Sequence, residues 1–228
     1  MKIQNLFNTN IEEIASRKFN ILIAISIGNK WFLSTENLEE YLRWALKHTK
    51  DKVLVLIADK IQIINYNVRN MGSKEYNLRR ALKEGQKIKE LIEDVISKFT
   101  SEQKEKIEIL KWDDYKARDK FYPKILPLIN REFKKNHLFK SDILNLIKSS
   151  IKDKEFSEEE YFELSKYLIE EFALCYSGVY LDNNYYGLYL YPTLFPISLF
   201  IEKIQQGKIF SELTKKLPRE KVALVILN

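Results

Sequence analysis

Cysteine occurs once, as Cys175, histidine twice, as His48 and His137, and glycine only six times in 228 residues. A single cysteine excludes an internal disulfide framework and a cysteine-rich zinc site. The glycines spell neither Gly-x-Gly-x-x-Gly nor a Walker loop, so no motif for a nucleotide cofactor is present. The N-terminus has none of the pattern of a cleavable signal peptide. Together these absences lead us to expect a cytoplasmic protein with no cofactor and no metal.

Membrane insertion is the next class to exclude. Residues 183–201 form an uncharged run of 19 residues, long enough in principle to cross a bilayer. Pro192 and Pro196 would interrupt the hydrogen-bond ladder of a spanning helix, so the run reads as a buried strand followed by a helix.

What is present suits a soluble core. Hydrophobic residues make up 45% of the chain, enough for one domain spanning residues 1–228. Lys and Arg number 38 against 32 Asp and Glu, a net charge of +6 that matters only where it is clustered. The stretches "FNILIAISI" (19–27) and "DKVLVLIAD" (51–59) are apolar on both faces, as central strands of a covered parallel sheet are. Between them Leu38, Tyr41, Leu42 and Ala45 recur at helical spacing, giving a strand, helix, strand order. Residues 105–112 and 220–227 supply further strands, with helices near 74–98, 116–135 and 138–151 and a last pair after 157. The expected fold is α/β, doubly wound around a mostly parallel sheet.

In such folds ligands sit beyond the carboxyl ends of the strands, where Ser26, Gly28 and Asn29 fall. "AISIG" has the outline of a nucleophile elbow with alanine for the first glycine; small residues also suit any tight strand-to-helix turn. A hydrolase would need a histidine base. His48 and His137 both lie in charged or polar surroundings that suit solvated or capping residues.

Three other segments carry candidate chemistry. Ser157 and Glu160 form a capping box that starts a helix over 157–175, whose apolar stripe is Tyr161, Leu164, Leu168, Phe172 and Cys175. Glu171 falls on the margin of that stripe with Tyr167 one turn earlier, so both can face one pocket. A carboxylate there is partly desolvated and suited to bind or deprotonate an amine, unless it is a surface residue paired with a lysine. The helix "LRRALKEGQKIK" (78–89) carries Arg79, Arg80, Lys83 and Lys87, with Arg80, Lys83 and Lys87 forming a ridge that could track phosphates or be merely a solvated face. Alternation along "LYLY" puts Leu188 and Leu190 on one strand face and Tyr189 and Tyr191 on the other, and brings Tyr191 toward the serine. Leu22 and Ala24 share the strand face of Ser26, and Leu174 lies one turn beyond Glu171. All three are expected to line a pocket.

In this order and spacing, Ser26-Ile27-Gly28-Asn29 with Trp31-Phe32 and Trp44-Ala45, Tyr167 with Glu171, and Tyr191 five residues before Pro196 resemble the cyclodipeptide synthases. Members of that family make cyclic dipeptides from two aminoacyl-tRNAs. The resemblance implies a Rossmann-like fold similar to the catalytic domain of class I tyrosyl- and tryptophanyl-tRNA synthetases. The ATP signatures of those enzymes are missing: there is no His-x-Gly-His, and Met71-Gly72-Ser73-Lys74 falls short of Lys-Met-Ser-Lys-Ser. An aminoacyl-tRNA ester is already activated, so no ATP is needed.

By the same resemblance Ser26 takes the first aminoacyl group, Tyr191 lies near its hydroxyl, Tyr167 and Glu171 hold the α-amino group, and Asn29 helps fix the aminoacyl moiety. Gly28 permits the turn, and Arg79, Arg80, Lys83 and Lys87 meet tRNA. The chain is expected to act as a monomer. Two other classes stand beside this one: an α/β-hydrolase-like serine esterase, and a non-catalytic tRNA-binding module.

Overall fold

The computed structural model describes residues 1–151, 154–194, 196–217 and 222–227. Among the described residues seven strands form one sheet: β1 (Ile3–Phe7), β2 (Asn20–Ser26), β3 (Val53–Ala58), β4 (Ile107–Lys111), β5 (Val179–Leu181), β6 (Asn184–Tyr191) and β7 (Ala223–Leu227). The helices are α1 (Ile11–Ala15), α2 (Thr35–His48), α3 (Ile63–Val68), α4 (Lys74–Ser97), α5 (Ser101–Glu105) and α6 (Trp112–Arg118). They continue with α7 (Tyr122–Lys135), α8 (His137–Ser150), α9 (Glu158–Ser177), α10 (Pro196–Gln205) and α11 (Ser211–Thr214).

The sheet order is β1-β7-β6-β2-β3-β4, with β5 paired to β6. Pairs β6–β7, β2–β6, β2–β3 and β3–β4 are parallel; only β1–β7 and β5–β6 are antiparallel. Burial explains the parallel core, since β3 is buried along its whole length and β2 up to Ser26. Ile21, Ile23 and Ile25 pack with α2 and α4 on one face, while Leu22 and Ala24 pack with the helices from α6 to α10 on the other. This is the doubly wound arrangement the periodicity predicts. The chain leaves β2 toward β3 and β4 on one side and returns through β6 and β7 on the other, so the strand order reverses between β2 and β6. Ligand crevices in open α/β sheets form at such a reversal, beyond the strands' carboxyl ends.

Several boundaries differ from the sequence expectation. The helix expected over 116–135 is two helices, because the Asp119 carboxylate accepts from the backbone of Tyr122 (2.6 Å) and of Tyr180 (2.7 Å) and turns the chain there. The apolar runs of the sequence mark neither the edge strand β1 nor the hairpin strand β5. Asp182 and Asn183, both with positive φ (44° and 68°), make the two-residue turn from β5 to β6. The last strand is described from Ala223; residues 220 and 221 lie outside the described residues. Among the described residues no helix is long and apolar enough to cross a membrane.

Candidate active site

Ser26 ends β2, opposite Ala58 of β3. The backbone N–H of Asn29 donates to the Ser26 carbonyl (3.0 Å), closing a turn that leads to a short helical turn over Lys30–Leu33 and into α2. Gly28 does not provide a left-handed residue for this turn: positive φ among the glycines is confined to Gly72, Gly178 and Gly207. What Gly28 leaves is space. A methyl group on it would stand 3.4 Å from Gln62 Nε2 and 3.9 Å from Ser26 Oγ.

β6 approaches β2 from the other side with a register shift between Asn20 and Ile21, opposite Tyr186 and Leu188, so Gly187 is an extra residue. Tyr186 and Tyr189 therefore share the α9 face while Leu188 and Leu190 go to the α2 face. The bulge sets the phase that brings Tyr189 and Tyr191, stacked 6.1 Å apart, to the side of Ser26. Tyr191 also meets the ring of Phe32 at 5.9 Å, and its hydroxyl is hydrogen-bonded to the Asn29 side chain. The contact favours the ionised phenol, so the Asn29 amide nitrogen donates toward Tyr191, while its Oδ1 accepts from the Trp31 backbone (3.0 Å). Asn29 thus fixes the turn and Tyr191 together; it is not among the residues that line the cavity.

α9 begins with the expected capping box of Ser157 and Glu160. It crosses over the strand ends and delivers Tyr167 and Glu171, one turn apart, to Ser26. The Tyr167 hydroxyl faces both Glu171 and Ser26 and interacts with each. An ionised carboxylate only accepts, so Tyr167 donates to Glu171 and the Ser26 hydroxyl donates to Tyr167. Burial pushes the Glu171 carboxyl up to about 7, the Tyr167 bond offsetting only part of that. Burial and the neighbouring Glu171 hold the Tyr167 phenol well above its ordinary value, and burial carries Tyr191 to about 12. Both phenols are therefore neutral donors at physiological pH, and Glu171 is the group poised to exchange a proton.

These groups open onto a cavity of about 270 Å³. Its floor is Ala24, Ser26 and Ala58 at the strand ends, and its apolar walls include Trp112, Leu164, Leu174, Tyr189 and Ile197. Ala24 and Leu174 are where the sequence suggested. Leu22 is not: two residues deeper in β2, it is fully covered by core side chains and does not reach the cavity. Asn65, which sequence reasoning missed, lines the mouth and donates to Gln62 Oε1 (3.1 Å). No histidine is among the lining residues. His48 ends α2 at the far edge of the sheet, its ring 4.4 Å from that of Trp44, and His137 is exposed at the start of α8.

The basic helix also departs from expectation in one residue. Arg80 is bound: its Nε donates to Glu84 (2.8 Å), which also accepts from the Tyr66 hydroxyl, and its guanidinium lies 4.7 Å from the Tyr66 ring. The open ridge runs instead through Arg79, Lys83 and Lys87, all exposed and without an ion-pair partner among the described residues. Gly85 lies against Asp59, just beyond the end of β3; a methyl there would come within 2.4 Å of Asp59 Cβ. The residues of α4 before it, about three turns, therefore extend past the carboxyl end of β3.

No family model and no curated protein matches the chain. Solved structures do. A cyclodipeptide synthase from Bacillus thermoamylovorans superposes with a TM-score of 0.75 at 21% identity, covering 95% of this chain and 91% of that one. A Mycobacterium tuberculosis protein, whose structure relates cyclodipeptide synthetases to type I tRNA synthetases, gives 0.70 at 13% identity over 94% and 87%. The cyclodipeptide synthase of Candidatus Glomeribacter gigasporarum, solved bound to Phe-tRNAPhe, gives 0.59 at 18% identity over 91% and 88%. The chain has the fold of cyclodipeptide synthases, an α/β fold related to that of class I tRNA synthetases.

Proposed function

We propose that this chain is an aminoacyl-tRNA-dependent cyclodipeptide synthase that carries its intermediates on Ser26. The observation behind this reading is the Ser26–Tyr167–Glu171 network at the reversal of strand order, facing an apolar cavity and built without histidine. It supports a nucleophile that attacks an ester already activated, rather than one that needs a strong base.

In this mechanism Ser26 Oγ attacks the ester carbonyl of the first aminoacyl-tRNA. The C–O bond to the terminal ribose breaks, and the serine proton reaches the departing oxygen through the vicinal ribose hydroxyl. Transfer from ester to ester is nearly isoenergetic, so no ATP is consumed. The side chain of the first amino acid enters the apolar cavity, and its α-ammonium meets Glu171 and the Tyr167 oxygen. Glu171 takes the ammonium proton, freeing the amine to attack the ester of a second aminoacyl-tRNA, whose C–O bond to the ribose breaks so that the ribose oxygen leaves with the proton the amine sheds. The resulting dipeptidyl ester on Ser26 is cleaved by its own terminal amine, which closes the diketopiperazine ring and returns the proton to Ser26. Each amide-forming step is downhill from an ester. Tyr191, held by Asn29, borders the same space and orients the ester. Arg79, Lys83 and Lys87 on the exposed face of α4 contact tRNA phosphates, a contribution that weakens with salt. With charged tRNA as substrate the reaction is cytoplasmic, carried out by a monomer of one catalytic domain.

The test is to incubate the purified protein with a pool of charged tRNAs, without ATP, and to look for a diketopiperazine by mass spectrometry. A new cyclic dipeptide supports the reading. The His48→Ala/His137→Ala double variant is expected to retain wild-type turnover. Loss of turnover in it, or release of free amino acid alone, would favour a serine esterase, and tRNA binding with no product a non-catalytic module.

A further inference from the structure

Gln62 sits in the turn that follows β3, and that turn is fixed. Asp59 Oδ1 accepts from the backbone of Lys60 (2.7 Å) and of Trp112 (3.3 Å), and the Gln62 N–H donates to the Asp59 carbonyl (3.0 Å). The side chain is 9% exposed, and its Oε1 is engaged by Asn65 Nδ2 at 3.1 Å. With the oxygen so held, the amide nitrogen is turned the other way, toward Gly28. Among the described residues Nε2 has no hydrogen-bond partner. It and Ser26 Oγ both border the space above Gly28, at 3.4 and 3.9 Å from a single point. A nearly buried donor that adjoins the nucleophile across an empty space has the geometry of an oxyanion-binding group.

We propose that Gln62 Nε2 is a catalytic hydrogen-bond donor to the substrate's ester carbonyl oxygen, which it holds above Gly28 while Ser26 attacks. The proposal rests on the covalent reading of Ser26 given above. As the Oγ–C bond forms, the carbonyl π pair moves onto that oxygen, and the charge meets the Gln62 N–H. When the C=O bond re-forms, the C–O bond to the ribose breaks and the ribose oxygen takes the serine proton. The same donor serves the later attacks on the ester carbonyls of the second aminoacyl-tRNA and of the dipeptidyl intermediate. Gly28 is small for the same reason: any side chain there occupies the oxygen's place.

The test is single-turnover acylation of Ser26 by a labelled aminoacyl-tRNA, with tRNA affinity and melting temperature measured on the same samples. Gln62→Leu removes the donor, and Gln62→Glu keeps the acceptor for Asn65 while presenting an oxygen to the oxyanion. Both are expected to lower the acylation rate roughly a hundredfold or more at unchanged affinity. Gly28→Ala keeps its backbone conformation, so its melting temperature should hold while acylation falls. Wild-type acylation rates in Gln62→Leu and Gln62→Glu overturn the proposal, as does a defect confined to tRNA affinity. Wild-type acylation in Gly28→Ala likewise removes the site above it. If the wild-type protein forms no adduct on Ser26, the covalent reading fails first, a result distinct from an adduct that forms independently of Gln62.

Discussion

Glu171 carries the sharpest residue-scale consequence. Its carboxyl is raised from 4.5 to about 7, so the folded protein binds a proton more tightly than the unfolded chain between those two values. Stability must then fall as pH rises through that window, because the charged form is the one burial penalises. Glu171→Gln removes the penalty: the variant should melt higher than wild type above pH 7, by up to roughly 3 kcal/mol, with the difference gone below pH 4.5. Its catalytic effect has the opposite sign. Wild-type amide formation should decline as pH drops below 7 and Glu171 takes up its proton, whereas Glu171→Gln should be slow at every pH. Urea melts and rate profiles across pH 4.5–8.5 check both.

Tyr167 and Glu171 were legible because helical periodicity places residues four apart on one side, whatever the rest of the fold does. Gln62 was not. It follows β3 in a short turn, 36 positions after Ser26, and the two meet only because β2 and β3 pair in parallel with Ser26 opposite Ala58. No local pattern marks an amide whose partner is the space over a glycine in the turn after another strand. Leu22 failed for a related reason: alternation gives the face of a strand but not the depth at which a cavity begins.

Among elements, α4 shows where charge patterning stops being informative. Spacing alone linked Arg80 with Lys83 and Lys87, but Glu84, one turn on along α4, and Tyr66 of α3 capture the Arg80 guanidinium. Charge reversal therefore separates two roles. Arg79→Glu and Lys83→Glu should weaken tRNA-dependent activity, reduce its salt dependence and leave the melting temperature near wild type. Arg80→Ala should cost on the order of 1 kcal/mol of stability through the lost ion pair and ring contact. Activity titrated against salt, with thermal melts of the same variants, distinguishes the two. The sheet's elements divide similarly. β2 and β3 announce themselves by apolar runs on both faces, but β1 is a five-residue edge strand with only partial burial, and the bulge at Gly187 is visible only in the pairing of β6 with β2. That bulge brings Tyr189 and Tyr191 to the face of Ser26, so a feature absent from the pattern governs one that the pattern predicted.

For the whole molecule, topology does most of the placing. Crossovers run to opposite sides of β2, and the crevice they leave receives Ser26 from β2, Tyr191 from β6 and the Tyr167 and Glu171 pair from α9, with Gln62 of the turn after β3 adjoining Ser26 across Gly28. Residues from four separate segments meet around Ser26, and the first turns of α4, which carry Arg79 and Lys83, extend past the carboxyl end of β3. The central claim is that this convergence makes Ser26 a carrier of aminoacyl groups. It is tested most directly by quenching the protein in acid after brief exposure to charged tRNA and mapping the adduct by peptide mass spectrometry. The account predicts an aminoacyl mass on the peptide containing Ser26 in wild type and none in Ser26→Ala, which should also form no diketopiperazine. Cyclic dipeptide produced by Ser26→Ala, or an adduct that maps to any other residue, would contradict it.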